Sequence, residues 1–268
     1  MTTPKALVLT GYGINCSRET QFAFTQAGAE ADVVHINDLI EGRRRLEDYQ
    51  ILTFPGGFSF GDDTGSGNGL ANRIRNNIWD QVAEFVEKDH LVLGVCNGFQ
   101  ALVRLGILPA INKNYGTQQV SLLHNEGARY LDRWVDLKCS QKSPWLKGID
   151  RISLPIAHGE GKLYALPEVV QQMQHRDLVA ARYVPGTMCT YQHLPANPNG
   201  SLDDIAALTD ESGRILGMMP HPERAIAFTH LPNWSLIKEI LKRKAGVEEI
   251  PQEGLGLQVF KNGVNYFK

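Results

Sequence analysis

Of four cysteines, one stands where it could act as a nucleophile. Residues 91–100 read Leu-Val-Leu-Gly-Val-Cys-Asn-Gly-Phe-Gln, a short apolar run that breaks at Cys96. Gly94 and Gly98 flank the break. Small neighbours let a strand turn sharply into a helix, and such a turn exposes the side chain at its tip. The helix N-terminus beyond the turn favours a thiolate over a thiol. The N–H of Asn97 would then face an oxyanion formed at Cys96. The competing reading is a buried structural thiol, the commonest fate of a free cysteine. Cys16, Cys139 and Cys189 lack the glycine setting and read as structural.

A nucleophilic thiol needs a base, and the base needs an orienting group. Met218-Met219-Pro220-His221-Pro222-Glu223-Arg224 supplies His221 and Glu223 two residues apart. In an extended segment both side chains face the same way. Pro222 fixes its own φ and biases His221 toward extended dihedrals. A bare His-x-Glu is common by chance; the flanking prolines and the apolar run before it set this one apart. Pro55-Gly56-Gly57-Phe58-Ser59 offers backbone N–H groups after another apolar run, with Gly57 as a second oxyanion donor. The glycine-rich stretch 61–69 is followed by no Gly-Lys-Ser/Thr, so it does not read as an ATP-binding loop.

These residues need a scaffold, and the chain supplies one by alternation. Strands are expected at Lys5–Thr10, Ala31–Ile36, Ile51–Phe54 and Leu91–Val95, with helices from a capping Ser17 to Gly28, over 70–88, and from Gly98 to Leu105. Such alternation implies βαβ units and a mainly parallel sheet. Open sheets of this kind bind ligands at the carboxyl ends of their strands. Thr10-Gly11, Pro55-Gly56-Gly57 and Cys96 should therefore share one rim. Further on, 120–123 and 129–139 read as strands of one meander, with another strand at Ile152–Ile156. Residues 205–208 and 214–218 read as a hairpin turned at Ser212-Gly213, and Trp234–Lys244 as an amphipathic helix. The tail from 245 to 268 shows no clear period. A single domain over 1–268 is expected, its core spanning about 5–244.

The 27 basic and 29 acidic residues leave a net charge of −2, with no basic footprint for nucleic acid. No apolar run approaches the ~18 residues of a membrane span. The start, Met1-Thr2-Thr3-Pro4-Lys5, lacks a leader's layout. Scattered thiols without CxxC pairs fit a reducing, cytoplasmic setting and suggest no metal site.

Taken in order, Pro55-Gly56-Gly57-Phe58-Ser59, Gly94-Val95-Cys96-Asn97-Gly98-Phe99-Gln100 and Pro220-His221-Pro222-Glu223-Arg224 resemble the motifs of class I, triad-type glutamine amidotransferases. Asn after the cysteine, Met219 to Ala225, Gly13-Ile14-Asn15-Cys16, Ile156-Ala157-His158-Gly159-Glu160-Gly161 and Asn197-Pro198-Asn199-Gly200-Ser201 are similar to one branch, the glutaminase subunits of phosphoribosylformylglycinamidine synthase. The resemblance implies a flavodoxin-like, mainly parallel sheet with helices on both faces. It implies that Cys96 attacks the side-chain amide of glutamine, that His221 carries the proton and that Glu223 orients His221. Gly57 and Asn97 amides would hold the oxyanion, and Gln100 would bind glutamine. It implies no cofactor on this chain. ATP and magnesium would belong to a partner, a formylglycinamide ribonucleotide synthetase, with a small third protein bridging the two. His158 and Glu160 stay open between a place at the active site or partner surface and an ordinary turn. Phe60 to Gly69 departs from the branch's usual Tyr-Gly-Asp-Tyr continuation, and the tail after Ala245 is longer than usual. Two alternatives remain beside this reading: an amidotransferase serving another synthetase, and a non-catalytic regulatory module on the same fold. A cysteine hydrolase fits less well, because no base follows Cys96 closely.

Overall fold

The computed structural model describes residues 3–245 and 250–268. Residues 1–2, within the start read as lacking a leader, and 246–249, within the unplaced tail, lie outside the described residues. In chain order the strands are β1 (Lys5–Thr10), β2 (Glu30–His35), β3 (Ile51–Phe54), β4 (Leu91–Val95), β5 (Ser121–His124), β6 (Leu131–Cys139), β7 (Arg151–His158), β8 (Glu160–Tyr164), β9 (Val179–Tyr183), β10 (Ile205–Thr209) and β11 (Ile215–Met218). The helices are α1 (Ser17–Gln26), α2 (Ile36–Ile40), α3 (Asn68–Asn77), α4 (Trp79–Glu87), α5 (Asn97–Arg104), α6 (Pro167–His175), α7 (Thr187–Gln192), α8 (Trp234–Ala245) and α9 (Leu255–Asn265).

A nine-stranded sheet runs in the order β2-β1-β3-β4-β11-β10-β9-β6-β7. Its first five strands are parallel, in the 2-1-3-4-5 order of flavodoxin-like sheets. The other four continue it antiparallel. Every residue of β3, β4 and β11 is buried. Because successive side chains point to opposite faces, these strands are covered on both sides. That explains their continuous apolar composition, which had no alternation to show.

The loops at the carboxyl ends of β1 and β3 meet, as the rim argument requires: Ile14 bridges Gly57, and Cys16 N–H donates to the Gly56 carbonyl at 3.1 Å. Several local expectations need correction. The helix expected over 70–88 is two helices, broken at Ile78, whose φ of −138° is not helical. Ile74, Ile78, Val82 and Phe85 are all buried, so the apolar period runs through the break and conceals it. Ser17 is the first helical residue rather than the cap; Cys16 takes the cap position and its side chain makes no capping bond. β5 does not join β6 in a meander. It pairs with β8 in a separate two-stranded sheet, through Leu122 opposite Leu163. Asn125 turns the chain away there, its Nδ2 donating to the carbonyls of Arg129 and His158.

The tail holds a helix. Phe260 of α9 is fully buried, edge-on to Phe24 of α1 at 4.9 Å between ring centroids. Phe24 in turn meets Trp145 at 6.3 Å. Ahead of α9, Gly254 and Gly256 N–H groups donate to the carbonyls of Ile226 and Ala225, just past Glu223.

Candidate active site

β4 ends at Val95, and α5 starts at Asn97, so Cys96 alone makes the turn. Its φ of 51° and ψ of −108° are a conformation L-residues rarely adopt. Strain of this kind, on the order of 1–3 kcal/mol, persists only where the surroundings enforce it. Here the enforcement is visible on both sides. Cys96 N–H donates to the Met218 carbonyl of β11 at 2.8 Å. Behind it, α5 lies against β3 so closely that a Cβ on Gly98 would fall 1.8 Å from the Phe54 carbonyl oxygen. Cys96 is 5% exposed, and its Sγ lies 3.6 Å from the Ala157 carbonyl oxygen.

β11 runs parallel beside β4, with Met218 opposite Val95. The chain beyond it therefore emerges next to Cys96. His221 N–H donates to the Pro155 carbonyl at 2.8 Å, and His221 Nδ1 meets Glu223 Oε1 at 2.5 Å. His221 is extended, but Pro222–Arg224 is a single 3-10 turn, so the pair faces together through a turn and not through an extended run. Both side chains are buried. Burial by itself would lower the imidazole pKa. The Glu223 carboxylate, the Cys96 charge and hydrogen bonding to the Cys16 and Cys96 thiols outweigh it and hold it well above the ordinary value.

Gly57 has a φ of 151°, and a Cβ there would strike the Gly13 carbonyl oxygen at 2.6 Å. The loop is fixed by its neighbour, Phe58 N–H donating to the Gly13 carbonyl. Asn97 ties this loop to α5: its Oδ1 accepts from Ser59 N–H at 3.1 Å, and its Nδ2 donates to Asp62 Oδ1 and Gln100 Oε1, each at 3.0 Å. Gln100 is 4% exposed, one turn below Cys96, and its Nε2 donates to the Glu160 carbonyl at 2.5 Å.

His158 and Glu160 border the same site. His158 is buried, its Nδ1 3.1 Å from Asn125 Oδ1. Burial, with a smaller push from His221, lowers its pKa to about 3, so the ring is neutral. Cys16, read from the sequence as a structural thiol, also lies here. Its Sγ is 3.1 Å from Arg224 Nη2 and 3.2 Å from Asn15 Oδ1, and Arg224 Nε donates to Glu19 at 2.9 Å. Burial pushes the Cys16 thiol pKa up, against the His221 hydrogen bond. The one signal for its position was the rim: Cys16 follows β1 as Gly57 follows β3.

Ligand-type atoms of Cys16, His221 and Glu223 lie within 4.8 Å of one another, a grouping that could hold a metal ion. The 2.5 Å separation of His221 Nδ1 and Glu223 Oε1 is that of a hydrogen bond. Two ligands on one zinc, each about 2.0–2.1 Å from it, would stand roughly 3.3 Å apart. The geometry favours a proton between the two groups. Assembled this way, a thiol at a helix N-terminus and a buried imidazole with its carboxylate can carry out acyl transfer through a thioester.

Known proteins share this frame. The profile of the CobB/CobQ-like glutamine amidotransferase domain matches residues 3–267. The phosphoribosylformylglycinamidine synthase subunit PurQ of Methanococcus maripaludis strain C7 is 46% identical, over 98% of this chain and 97% of its own length. The PurQ subunit of Dehalococcoides mccartyi is 41% identical, over 99% and 98%. Among solved structures, PurLQS from Thermotoga maritima aligns with a TM-score of 0.70 at 29% identity, covering 100% of both chains.

Proposed function

The chain belongs to the family of CobB/CobQ-like glutamine amidotransferase domains, and on that footing we propose that it is the glutaminase subunit of a phosphoribosylformylglycinamidine synthase. The observation that carries the chemistry is the strained Cys96 turn beside the buried His221–Glu223 pair. The chain acts as one amidotransferase domain. Cys96, as thiolate, attacks the side-chain amide carbon of glutamine while His221 holds the proton. The carbonyl electrons move onto oxygen, where the N–H groups of Gly57 and Asn97 receive the charge. His221 then protonates the amide nitrogen, the C–N bond breaks, and ammonia leaves behind a γ-glutamyl thioester on Cys96. Neutral His221 next takes a proton from water as the water attacks the thioester. The C–S bond breaks, glutamate departs, and the thiolate–imidazolium pair is restored.

Ammonia passes to a synthetase subunit, which uses it with ATP and magnesium to convert formylglycinamide ribonucleotide to the amidine in purine synthesis. A small third subunit bridging the two suits this reading, as does a cytoplasmic setting. No helix among the described residues is long and apolar enough to cross a membrane.

The test is glutamate release from glutamine, with and without the synthetase, ATP and formylglycinamide ribonucleotide. Stimulation by the full mixture is expected, and Cys96→Ala should lower the stimulated rate by a factor on the order of 10³ or more. A rate that survives in the variant would sink the proposal. Activity that depends on Cys96 but ignores the synthetase would redirect the choice of partner.

A further inference from the structure

Two thiols meet His221, and the chemistry above uses one of them. Cys96 is its nucleophile. Cys16, just ahead of α1, hydrogen-bonds the same imidazole. Its Sγ, an imidazole nitrogen and a Glu223 carboxylate oxygen lie within 4.8 Å of one another. Gly56 shows how tightly ring and sulfur share the space. A Cβ there would stand 2.8 Å from His221 Cε1 and 3.1 Å from Cys16 Sγ. Both groups crowd one α-carbon, and a glycine leaves them the room.

The thiol is fixed from several directions. Cys16 N–H donates to the Gly56 carbonyl at 3.1 Å, which ties its backbone to the β3 loop. Thr20 Oγ1 donates to the Cys16 carbonyl at 2.7 Å. Arg224 Nη2 lies 3.1 Å from Sγ. A guanidinium can only donate, so the sulfur is the acceptor there. Arg224 Nε is anchored in turn on Glu19 of α1 at 2.9 Å. Glu19, Arg224 and Cys16 thus brace α1 against the turn that carries the base. A cysteine kept for packing alone would touch apolar groups; this sulfur meets a cation, the Asn15 amide oxygen at 3.2 Å and an imidazole. Burial raises its pKa, so it stays a neutral thiol and does not contend with Cys96 for the imidazolium proton.

We propose that Cys16 is a positioning residue for the base: its thiol, braced by Arg224 and Glu19, seats the His221 imidazole against Cys96 and Glu223. The assignment rests on the glutaminase reading above. Without the thiol the ring gains room to turn away from Cys96, and the imidazolium loses one of the contacts that favour it. The charged and titratable groups around the ring are Glu223 and Arg224 on its own turn, Cys96 ahead of α5, Cys16 ahead of α1, His158 at the end of β7 and Tyr130 ahead of β6. Removing Cys16 leaves the other five in place.

The test compares Cys16→Ala with Cys16→Ser, whose hydroxyl can still accept from Arg224 and meet the ring. With the synthetase present, Cys16→Ala should lower kcat for glutamine about 10-fold, the low end for one hydrogen bond to a charged group, since sulfur bonds weakly. KM should stay within about two-fold, because the thiol acts on the base and not on the substrate. The alkaline limb of the pH–rate profile should move to lower pH. Cys16→Ser should restore most of kcat. A second measurement needs no turnover: alkylation of Cys96 by iodoacetamide near pH 6, which depends on the thiolate that the imidazolium favours. Cys16→Ala should slow it about 10-fold and Cys16→Ser less, with Cys96→Ala as the blank for the other thiols. A lower unfolding midpoint and equal losses in both variants, with the limb and the alkylation rate unmoved, would mark Cys16 as merely structural and overturn the proposal. Alkylation that slows as expected in a chain that turns over no glutamine would support the positioning role and sink the glutaminase reading alone. Synthetase-stimulated turnover and alkylation indifferent to Cys16 would sink the positioning role alone.

Discussion

Glu223 sets the charge on His221 as well as its orientation. The two side chains are buried together at 2.5 Å, and the carboxylate is the leading influence that opposes the cost of burying a charged imidazole. In the proposed mechanism the imidazolium is the form that protonates the departing nitrogen, so activity should fall on the alkaline side, as pH passes the raised His221 pKa. Glu223→Gln keeps the shape and removes the charge. It should lower kcat by a factor on the order of 10²–10⁴ and move the alkaline limb of the pH–rate profile to lower pH. A lower rate with an unmoved limb would mean that the field of Glu223 does not set the His221 charge. Cys96 and His221 were visible in the sequence because each stands just past an apolar strand, among residues with few conformations open to them. The contact of Cys16 with Arg224, at 3.1 Å, was not: the turn that brings them together is made by backbone bonds between the β1 and β3 loops, which leave no mark on spacing.

Among the elements, α9 has the clearest consequence for stability. It carries Phe260 into the aromatic cluster with Phe24 and Trp145, all fully buried. Phe260→Ala should cost about 3–5 kcal/mol in denaturant unfolding, the range for deleting a buried aromatic ring. A cost below ~1 kcal/mol would show that the helix docks without support from that ring. Sequence periodicity missed α9 because Gly256 and Gly263 are among its buried residues, so the inward face lacks a continuous apolar stripe. The parallel strands were legible for the opposite reason, since burial on both faces makes them unbroken apolar runs. The β5–β8 pairing was not, because it joins segments that only the Asn125 turn brings together.

At the scale of the molecule, two buried histidines confine stability from opposite sides. The His158 pKa is depressed to about 3, mainly by burial. The unfolded chain, with an ordinary value near 6.5, then binds more protons than the folded one between the two values, so stability is complete above about 6.5 and falls as pH drops toward about 3. The His221 pKa is raised, so its contribution is complete below the ordinary value and is lost as pH climbs through the raised one. Denaturant midpoints should therefore decline from pH 7 to 4, with a slope from His158 of at most about 1.4 kcal/mol per pH unit. His158→Gln should flatten that decline, and an unaltered slope would place its origin elsewhere. The register of β4 against β11 has a further consequence, for the order of events in folding. Val95 and Met218 are neighbours in space but far apart in the chain, and every strand from β5 to β10 lies between them in sequence. Contacts of such separation form slowly, because much chain must be ordered before they close. If Cys96 and His221 act together as proposed, activity waits on a non-local pairing, and its recovery during refolding reports when that pairing closes.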